Sequence, residues 1–277
     1  MSLRSFIPDL WSETLYKALD KEYIAVKNCS REFEGDVKTK GDCVKIVGLN
    51  PISVFDYTAN TDMQAPEELS DSLRTLNITQ AKAFNFIVDD IDNAQSIPGL
   101  MQEAMRLAAS ALSDVADKHV YSLHSEVASE NTLTAESLSK EGVVDFLLSA
   151  RQKLLERNVP GNEDIILEVS PAVASLITKA QILSGTNNEQ ALDKGCIGRF
   201  LGFKIYVSNN VFAVGEVYKC FARTKRAVAF AEQINEVEAY RPESRFADAV
   251  KGLHLYGAKI VYPNELLLLN ITPAAEG

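Results

Sequence analysis

The sequence predicts an α+β fold organised around one long helix. Residues 96–129 carry apolar side chains at helical spacing, with no proline or glycine after Gly99. Residues 28–92 are typical of extended chain, and residues 160–240 alternate strands with helices, as in a small mixed domain. We therefore expect an extended plate of two domains rather than a ball.

The long helix, here called the spine helix, is predicted over residues 96–129. Ser96 can cap its start, and Pro98 fits its first turn. Such a helix would be roughly 45 Å long, which is more than a compact domain of this size needs. An ordinary long helix in a bundle is the alternative. The predicted buried stripe consists of Leu100, Met101, Ala104, Met105, Ala108, Ala111, Leu112, Val115, Ala116 and Val120.

The first part of the chain is predicted to contain a short amphipathic helix and an extended arm. The helix, Pro8–Ala25, can dock on its own domain or on a neighbouring subunit. In the arm, an acidic connector at Thr58–Ser72 precedes a period-2 strand at 73–90 that is polar around Gln80 and Lys82. Because such an arm cannot bury its whole length, we expect it to find a partner on another molecule. Short strands are predicted at Asp42–Leu49 and Ile52–Tyr57.

The second part is predicted to alternate helices and strands. A polar turn is expected at Asn131–Ser139, and extended chain beside the spine helix at Arg245–Ile271. Helices are predicted at Lys140–Asn158 and from Ser170 to about Leu183. Strands are predicted at Glu163–Val169, Phe203–Val207 and Tyr218–Ala231.

Composition narrows the function classes. With 46% hydrophobic residues the 277-residue chain can build a core. Its net charge is −10, and residues 51–150 hold sixteen Asp and Glu against five Lys and Arg. A protein that grips nucleic acid needs clustered positive charge, and the only dense basic group is Arg223, Lys225 and Arg226. This disfavours a nucleic-acid-binding module but is compatible with weak contact to DNA.

The cysteines and the hydropathy predict a soluble protein. Cys29, Cys43, Cys196 and Cys220 form no CxxC pair and have no histidine at metal-ligand spacing. We expect free, mostly buried thiols in a reducing compartment. The start MSLRSFIPDLW lacks the apolar region of a signal peptide, and no run of 18 apolar residues exists. No membrane association and no cofactor are predicted.

Asp89, Asp90 and Asp92 form the most enzyme-like cluster. Adjacent carboxylates can hold Mg²⁺ or share a proton. On a strand, however, Asp90 and Asp92 share a face while Asp89 points away, and no second acidic motif completes a site. A solvated strand end or salt-bridge partners are the preferred interpretation over a metal site. His119 and His124 are five residues apart, whereas joint ligation on a helix requires i,i+4, so we expect ordinary polar positions.

Two further groups have a structural interpretation. Gly195, Gly198 and Gly202 lack the preceding strand and following helix of a phosphate-binding loop, so we expect turn glycines that lead into the strand from Phe203. The Arg223, Lys225 and Arg226 trio is predicted on a strand, as a salt-bridged rim rather than an anion site. No residue has the sequence setting of a nucleophile, and no catalytic, cofactor or metal residue is assigned.

The order of segments is more specific than any single motif. FIPDLWSETLYKAL, NCSREFEGDVKTKGDCVKI, ISVFDYT and FNFIVDDID precede the spine helix, and GCIGRFLGFKIYVSNN, KCFARTKRAVAFAEQ and KGLHLYGAKIVYP follow it. This series resembles the major capsid proteins of tailed bacteriophages, which have the Hong Kong 97-type fold, over nearly the whole chain. The resemblance implies a structural protein rather than an enzyme.

The resemblance also implies a division into domains. Residues 1–30 would be the N-terminal arm, and residues 31–78 an extended β-hairpin loop over a neighbouring subunit. Residues 79–159 and 241–277 would form the peripheral domain with the spine helix, and residues 160–240 the axial domain at the centre of each pentamer and hexamer. The chain begins almost directly with the arm helix, so a separate scaffolding protein is expected.

The implied function is self-assembly into an icosahedral shell around packaged double-stranded DNA, with exchange of contacts as a round precursor shell expands. Copies of the chain, the scaffolding protein and a portal would be its partners, and a decoration protein is left open. DNA would be contacted weakly and without sequence specificity. The protein would be assembled in the host bacterial cytoplasm and end in the virion. The alternatives are an encapsulin-like compartment around protein cargo and, from another class, a carboxylate-metal enzyme.

Overall fold

Helices and strands alternate in the middle of the described chain, and consecutive strands precede and follow that region. The computed structural model describes residues 15, 18, 19, 23–32, 43–49, 71–89, 100–159, 163–183, 196–243 and 247–274. The helices are α1 (Leu100–Ser122), α2 (Gly142–Glu156) and α3 (Pro171–Leu183). The strands are β1 (Cys43–Leu49), β2 (Asp71–Asn77), β3 (Gln80–Asp89), β4 (Thr132–Leu138), β5 (Ile165–Val169), β6 (Cys196–Phe200), β7 (Phe203–Val207), β8 (Ala213–Val214), β9 (Val217–Arg223), β10 (Val228–Tyr240), β11 (Ala247–Ile260) and β12 (Leu266–Pro273).

The spine helix is α1, and it ends earlier than predicted. Residues 96–99 lie outside the described part of the chain, and a 3₁₀ turn at Leu123–Glu126 replaces the last predicted helical turn. There the Ser122 hydroxyl donates to the His119 carbonyl and the Ser125 hydroxyl to the Ser122 carbonyl, so side chains compete for the carbonyls at the helix end. The 23 residues of α1 still span roughly 35 Å.

One face of α1 is buried in the main core, through Met105, Ala109, Leu112, Ala116 and Val120. The predicted stripe is wrong at Ala111 and Val115, which are exposed and lie on the side of the helix that also carries the exposed Leu107. The buried stripe of α1 is therefore narrower than the hydrophobic periodicity of the sequence predicts. A solvent-facing apolar strip on the helix is the result.

A seven-stranded sheet gathers distant parts of the chain. Its order is β4-β12-β9-β5-β7-β6, with β8 paired to β9. β12 lies between β9, to which it is antiparallel, and β4, to which it is parallel. The polar turn predicted at Asn131–Ser139 is therefore wrong, because β4 occupies 132–138 and pairs with a strand more than 130 residues away.

β10, β11 and β3 form a second, three-stranded antiparallel sheet. The strand predicted at Tyr218–Ala231 is in fact β9 and β10, separated by a 3₁₀ turn at Lys225–Ala227, and the two belong to different sheets. The extended chain at Arg245–Ile271 likewise divides: β11 joins β10 and β3, whereas β12 joins the larger sheet.

β1 and β2 pair as an antiparallel ribbon, in register from Cys43–Asn77 to Leu49–Asp71. The single strand predicted at 73–90 is therefore two strands, since pairing changes from β1 to β11 at Ile78–Thr79, beside the predicted polar waist. The strand predicted at Ile52–Tyr57 lies outside the described residues.

The base of the β1–β2 ribbon packs on its own subunit, contrary to the expectation of an arm without partners there. Val44, Ile46, Leu76 and Ile78 form a small core with apolar residues of β10, β11 and the turn after β11. Gly257 makes this approach possible, because a Cβ at that position would lie 2.3 Å from the Asn77 carbonyl oxygen.

The N-terminal helix also docks on its own subunit where it is described. Leu15, Ala18 and Leu19 are helical, and Leu15, Leu19 and Tyr23 are buried in the main core. α2, α3, β1, β5 and β7 agree with prediction to within a few residues, whereas β6 and β8 were not predicted. The domain boundaries remain predictions, and the seven-stranded sheet draws on ranges assigned to both domains.

Candidate functional site

The acidic cluster is not assembled into a site among the described residues. Asp89 is the last residue of β3, opposite Ala247 of β11, and Asp90 and Asp92 lie outside the described part of the chain. Within the described ranges, no three His, Cys, Asp or Glu side chains are placed to hold a metal ion. No helix of the described part is long and apolar enough to cross a membrane.

The two histidines of the spine region have separate packing partners. The half-buried His119 ring meets the Tyr256 ring edge-on at 5.5 Å, and burial lowers the pKa of His119. His124 stacks on Phe212 at 4.3 Å, and its Nδ1 lies 3.0 Å from the Tyr121 carbonyl oxygen. Each histidine thus packs against an aromatic ring, where the sequence predicted ordinary polar positions.

Gly198 and Gly202 lie in the β6–β7 hairpin. Gly202, with φ of +82°, forms the tight turn with Leu201, whose φ is +50°. This confirms the turn predicted before Phe203. Gly198, with φ of +100°, lies instead at a bulge in β6, and Gly195 is outside the described residues. The Arg151 guanidinium fills the space at Gly202 where a Cβ would be, so this backbone faces a cation of its own chain rather than a phosphate.

The basic trio separates into three environments. Arg226 is ion-paired with Glu265 and with Glu163, as a salt-bridged rim predicts. Lys225 is exposed on the 3₁₀ turn. Arg223 departs from the prediction because its side chain is fully buried at the end of β9.

Arg223 organises a buried junction between the N-terminal segment, residues 23–32, and the body of the subunit. Its guanidinium donates to both carboxylate oxygens of Glu168, at 3.1 and 2.9 Å, and to the carbonyl oxygens of Asn28 and Ala25. The Asn28 amide donates to Glu168 at 3.0 Å. Burial opposes the charged guanidinium, but the Glu168 carboxylate outweighs it and raises the pKa of Arg223. Arg223 therefore stays charged.

Asp117 of α1 holds the same segment from the other side. Its two carboxylate oxygens accept the backbone N–H groups of Ile24 and Val26, each at 3.0 Å. Burial raises the pKa of Asp117 to about 6, and the hydrogen bonds from the backbone only partly oppose this.

Glu232 of β10 makes the third attachment of residues 23–32. It accepts hydrogen bonds from the Tyr23 hydroxyl and from Arg31, and its Oε2 lies 2.8 Å from Nε2 of His254. Burial, helped by the charge of Arg31, lowers the pKa of His254 to about 4. His254 is therefore neutral at pH 7 and donates its Nε2–H to Glu232. A backbone bridge joins Ser30 to Ala229 of β10 beside this cluster.

The junction is built for attachment rather than for chemistry. Cys29 and Cys220 are free and buried, as predicted, and burial raises the pKa of Cys29 to about 11 and that of Cys220 to about 12. Both thiols are thus protonated and poor nucleophiles. No motif in the sequence predicts the junction, but one residue indicates it: Glu168 lies inside a strand of five buried residues and requires a buried cation.

An open groove adjoins the outer side of the junction. The groove is a cavity of about 950 Å³ between the N-terminal segment, the starts of β5 and β7, and the turns that follow β9 and β11. Its cationic lining residues are Lys27, Arg31, Lys204, Lys225 and Arg226, and its acidic ones are Glu32, Glu163 and Asp164. It is a locally basic surface on an acidic chain.

The fold matches solved shell structures. A Mycobacterium phage Che8 structure is 28% identical, with a TM-score of 0.72, and the match covers 91% of this chain and 92% of that chain. The capsid of Ralstonia phage GP4 is 12% identical over 93% and 91%, with a TM-score of 0.66. The holo-SrpI encapsulin complex of Synechococcus elongatus PCC 7942 is 12% identical over 87% and 85%, with a TM-score of 0.62. No protein-family model and no curated protein matches the chain.

Proposed function

We propose that this chain, a tailed-phage major capsid protein with the Hong Kong 97-type fold, assembles with copies of itself into the icosahedral shell that encloses the phage's double-stranded DNA. The main support for this proposal is the match to the Mycobacterium phage Che8 structure, which is 28% identical over 91% of this chain. The more distant capsid matches support the fold alone. The fold class and the family resemblance predicted from the sequence are confirmed.

The subunit surface suits repeated contacts with copies. Leu107 of α1 is 57% exposed, and Leu148 and Leu155 lie one above the other on α2 at 43% and 47%. Exposed apolar side chains grouped on helix faces mark surfaces that bind another protein. In a closed shell these faces would be covered by neighbouring subunits.

The domain division follows the family pattern. Residues 1–30 form the N-terminal arm and residues 31–78 the extended loop. Residues 79–159 and 241–277 form the peripheral domain, and residues 160–240 the axial domain at the centre of pentamers and hexamers. The junction around Arg223 and Glu168 supports this assignment, since it gives the arm a fixed point of departure from the body.

The partners beyond self-association are a separate scaffolding protein, a portal and weakly contacted DNA. The acidic balance, −10 over the chain, supports weak contact because like charge keeps DNA from adhering to the wall. The chain is a virion capsid component, and it assembles in the host bacterial cytoplasm. It acts as a structural protein rather than an enzyme.

Electron microscopy and light scattering of the purified protein test this function. We expect shells or tubes at high concentration and precursor shells when the scaffolding protein is co-expressed. A stable monomer under both conditions would contradict the proposal. Metal titration by calorimetry on the wild type and on Asp90→Asn tests the carboxylate-metal alternative, which requires binding that the substitution abolishes.

An encapsulin-like compartment is the second candidate. The match to the Synechococcus encapsulin complex shows the same fold in such a compartment, which is why this function is kept as the alternative. The contents of native particles separate the two functions. Nuclease-protected DNA supports the phage capsid, whereas a single co-purifying cargo protein supports the compartment.

A further inference from the structure

We infer that the groove beside the N-terminal junction binds the phosphate backbone of nucleic acid, and that the face carrying this groove lines the inside of the shell. The inference rests on the proposed function, because it names the site at which the subunit contacts the packaged DNA. The contact is weak, independent of base sequence and repeated in every subunit.

Two lysines of the groove carry positive charge that their own subunit leaves unused. Lys27 and Lys225 both line the groove and are exposed. Neither forms an ion pair with an acidic side chain in the described part of the chain. Exposed ammonium groups bind the phosphates of nucleic acid without reading its bases. The groove therefore has the charge that a DNA backbone requires.

The buried junction connects the two turns that carry these lysines. Lys27 lies in the 3₁₀ turn Val26–Asn28, and Lys225 begins the 3₁₀ turn Lys225–Ala227. Arg223 lies two residues before the second turn, and its guanidinium donates to the backbone carbonyls at both ends of the first. Both ammonium groups are thus presented from anchored backbone, so the site loses little conformational freedom when a phosphate binds.

The acidic residues of the groove keep its excess positive charge small. Asp164 forms ion pairs with both Lys204 and Arg199, so one carboxylate is shared by two cations. Glu32 lines the groove, is exposed and has no cationic partner within the described ranges. A carboxylate at this place repels a phosphate and limits the affinity of the groove. We therefore expect DNA to bind weakly.

The lining of the groove suits a phosphate backbone better than an acidic peptide. Its aliphatic side chains, Ile166 and Val261, are each only 6% exposed, so they offer little apolar surface to anchor a peptide side chain. Tyr262 also lines the groove, and its half-exposed ring packs against the Arg226 guanidinium at 5.3 Å. Tyrosine hydroxyls and basic side chains are common donors to phosphate oxygens.

Binding of a fluorescent DNA duplex to the full chain, below the protein concentration at which shells form, tests the site. We expect weak binding at low salt that decreases as salt rises. Lys27→Gln with Lys225→Gln should lower the affinity by about tenfold and reduce the slope of log K against log salt by about two. Glu32→Gln should raise the affinity, because it removes the carboxylate that repels phosphate.

A matched variant controls for the net charge of the subunit. Lys118→Gln with Lys140→Gln removes the same charge from exposed sites outside the lining of the groove. We expect this variant to bind the duplex with the wild-type affinity and salt slope. Unchanged urea midpoints establish that each variant is folded.

Acetylation of lysines in filled and empty particles tests which way the groove faces. Mature particles are treated with a small amine-reactive reagent before and after release of their DNA, and the modified peptides are quantified by mass spectrometry. We expect Lys27 and Lys225 to lose reactivity in the filled particles, whereas Lys140 reacts equally in both. Equal reactivity of the groove lysines in filled and empty particles would overturn the inference.

The remaining outcomes are also decisive. No binding of the duplex at low salt, or equal losses in the groove variant and the control variant, would overturn the inference while leaving the capsid function intact. Tighter binding of a glutamate homopolymer than of the duplex would assign the groove to an acidic peptide instead. If native particles contain a cargo protein and no DNA, the proposed function itself fails.

Discussion

Arg223 and Glu168 form a fully buried ion pair that joins adjacent strands of the larger sheet and, through the same guanidinium, the carbonyls of Ala25 and Asn28. A buried pair of this kind contributes little net stability compared with apolar residues, but it is costly to break on one side. Its position gives the N-terminal segment one defined attachment.

Replacing Arg223 with Met should destabilise the subunit by about 3–5 kcal/mol, because Glu168 is left buried and unpaired. Urea unfolding at a fixed protein concentration measures this change. The double variant Arg223→Met with Glu168→Leu is the matched control, and it should lose less than Arg223→Met alone. A single variant within about 1 kcal/mol of the wild type would mean that water reaches the site.

Because of Asp117, the free energy of unfolding should fall as pH rises from about 4 to about 6. Its pKa is raised from 3.8 to about 6, so the folded protein holds this proton more tightly than the unfolded chain does. The contribution is present at acid pH and is lost as pH rises through that window. Relative to Asp117→Asn, the wild type should lose about 2–3 kcal/mol between pH 4 and pH 7. Parallel pH profiles of the two proteins would contradict the assignment.

His254 should have the opposite effect on the pH dependence of the free energy of unfolding. Its pKa is lowered from 6.5 to about 4, so the unfolded chain binds the proton more readily. Stability is fully present above pH 6.5 and is lost as pH falls toward 4. Relative to His254→Gln, which keeps a donor toward Glu232, the wild type should lose about 3 kcal/mol from pH 7 to pH 4. His119→Gln is the comparison: the half-buried ring should show the same direction with a smaller amplitude.

Gly257→Ala should displace the β1–β2 ribbon from β11. The added Cβ would lie 2.3 Å from the Asn77 carbonyl oxygen, a backbone atom that cannot rotate away. A loss of about 1–3 kcal/mol is expected, with faster amide hydrogen exchange in 43–49 and 71–77. Gly142→Ala, where the nearest atom is 3.6 Å away, is the control. Unaltered exchange in the ribbon would show that the sheet shifts to accommodate the methyl group.

The local elements were predictable, and their pairing was not. The spine helix, α2, α3, β5 and β7 follow from periodicity and from proline and glycine positions, which act over a few residues. β4 was missed because its half-exposed pattern becomes a strand only beside β12. The division at Ile78–Thr79 was missed for the same reason, since both halves are extended and only their partners differ.

The junction was harder to predict than the fold. Arg223 belongs to the most basic group of the sequence, and that grouping predicts a salt-bridged rim at the surface. Its burial depends on Glu168, 55 residues earlier, and on two carbonyls almost 200 residues earlier. No local pattern encodes such a meeting, although a carboxylate among five consecutive buried strand positions indicates that a buried cation is required.

The placement of β12 between β4 and β9 sets an order of events during synthesis. β4 and β9 do not pair with each other directly. β4 therefore cannot join the rest of the sheet until β12, residues 266–273, has left the ribosome. A nascent chain therefore lacks a finished surface to offer to its neighbours. Growth of the shell is in this way restricted to subunits whose residues 266–273 have left the ribosome.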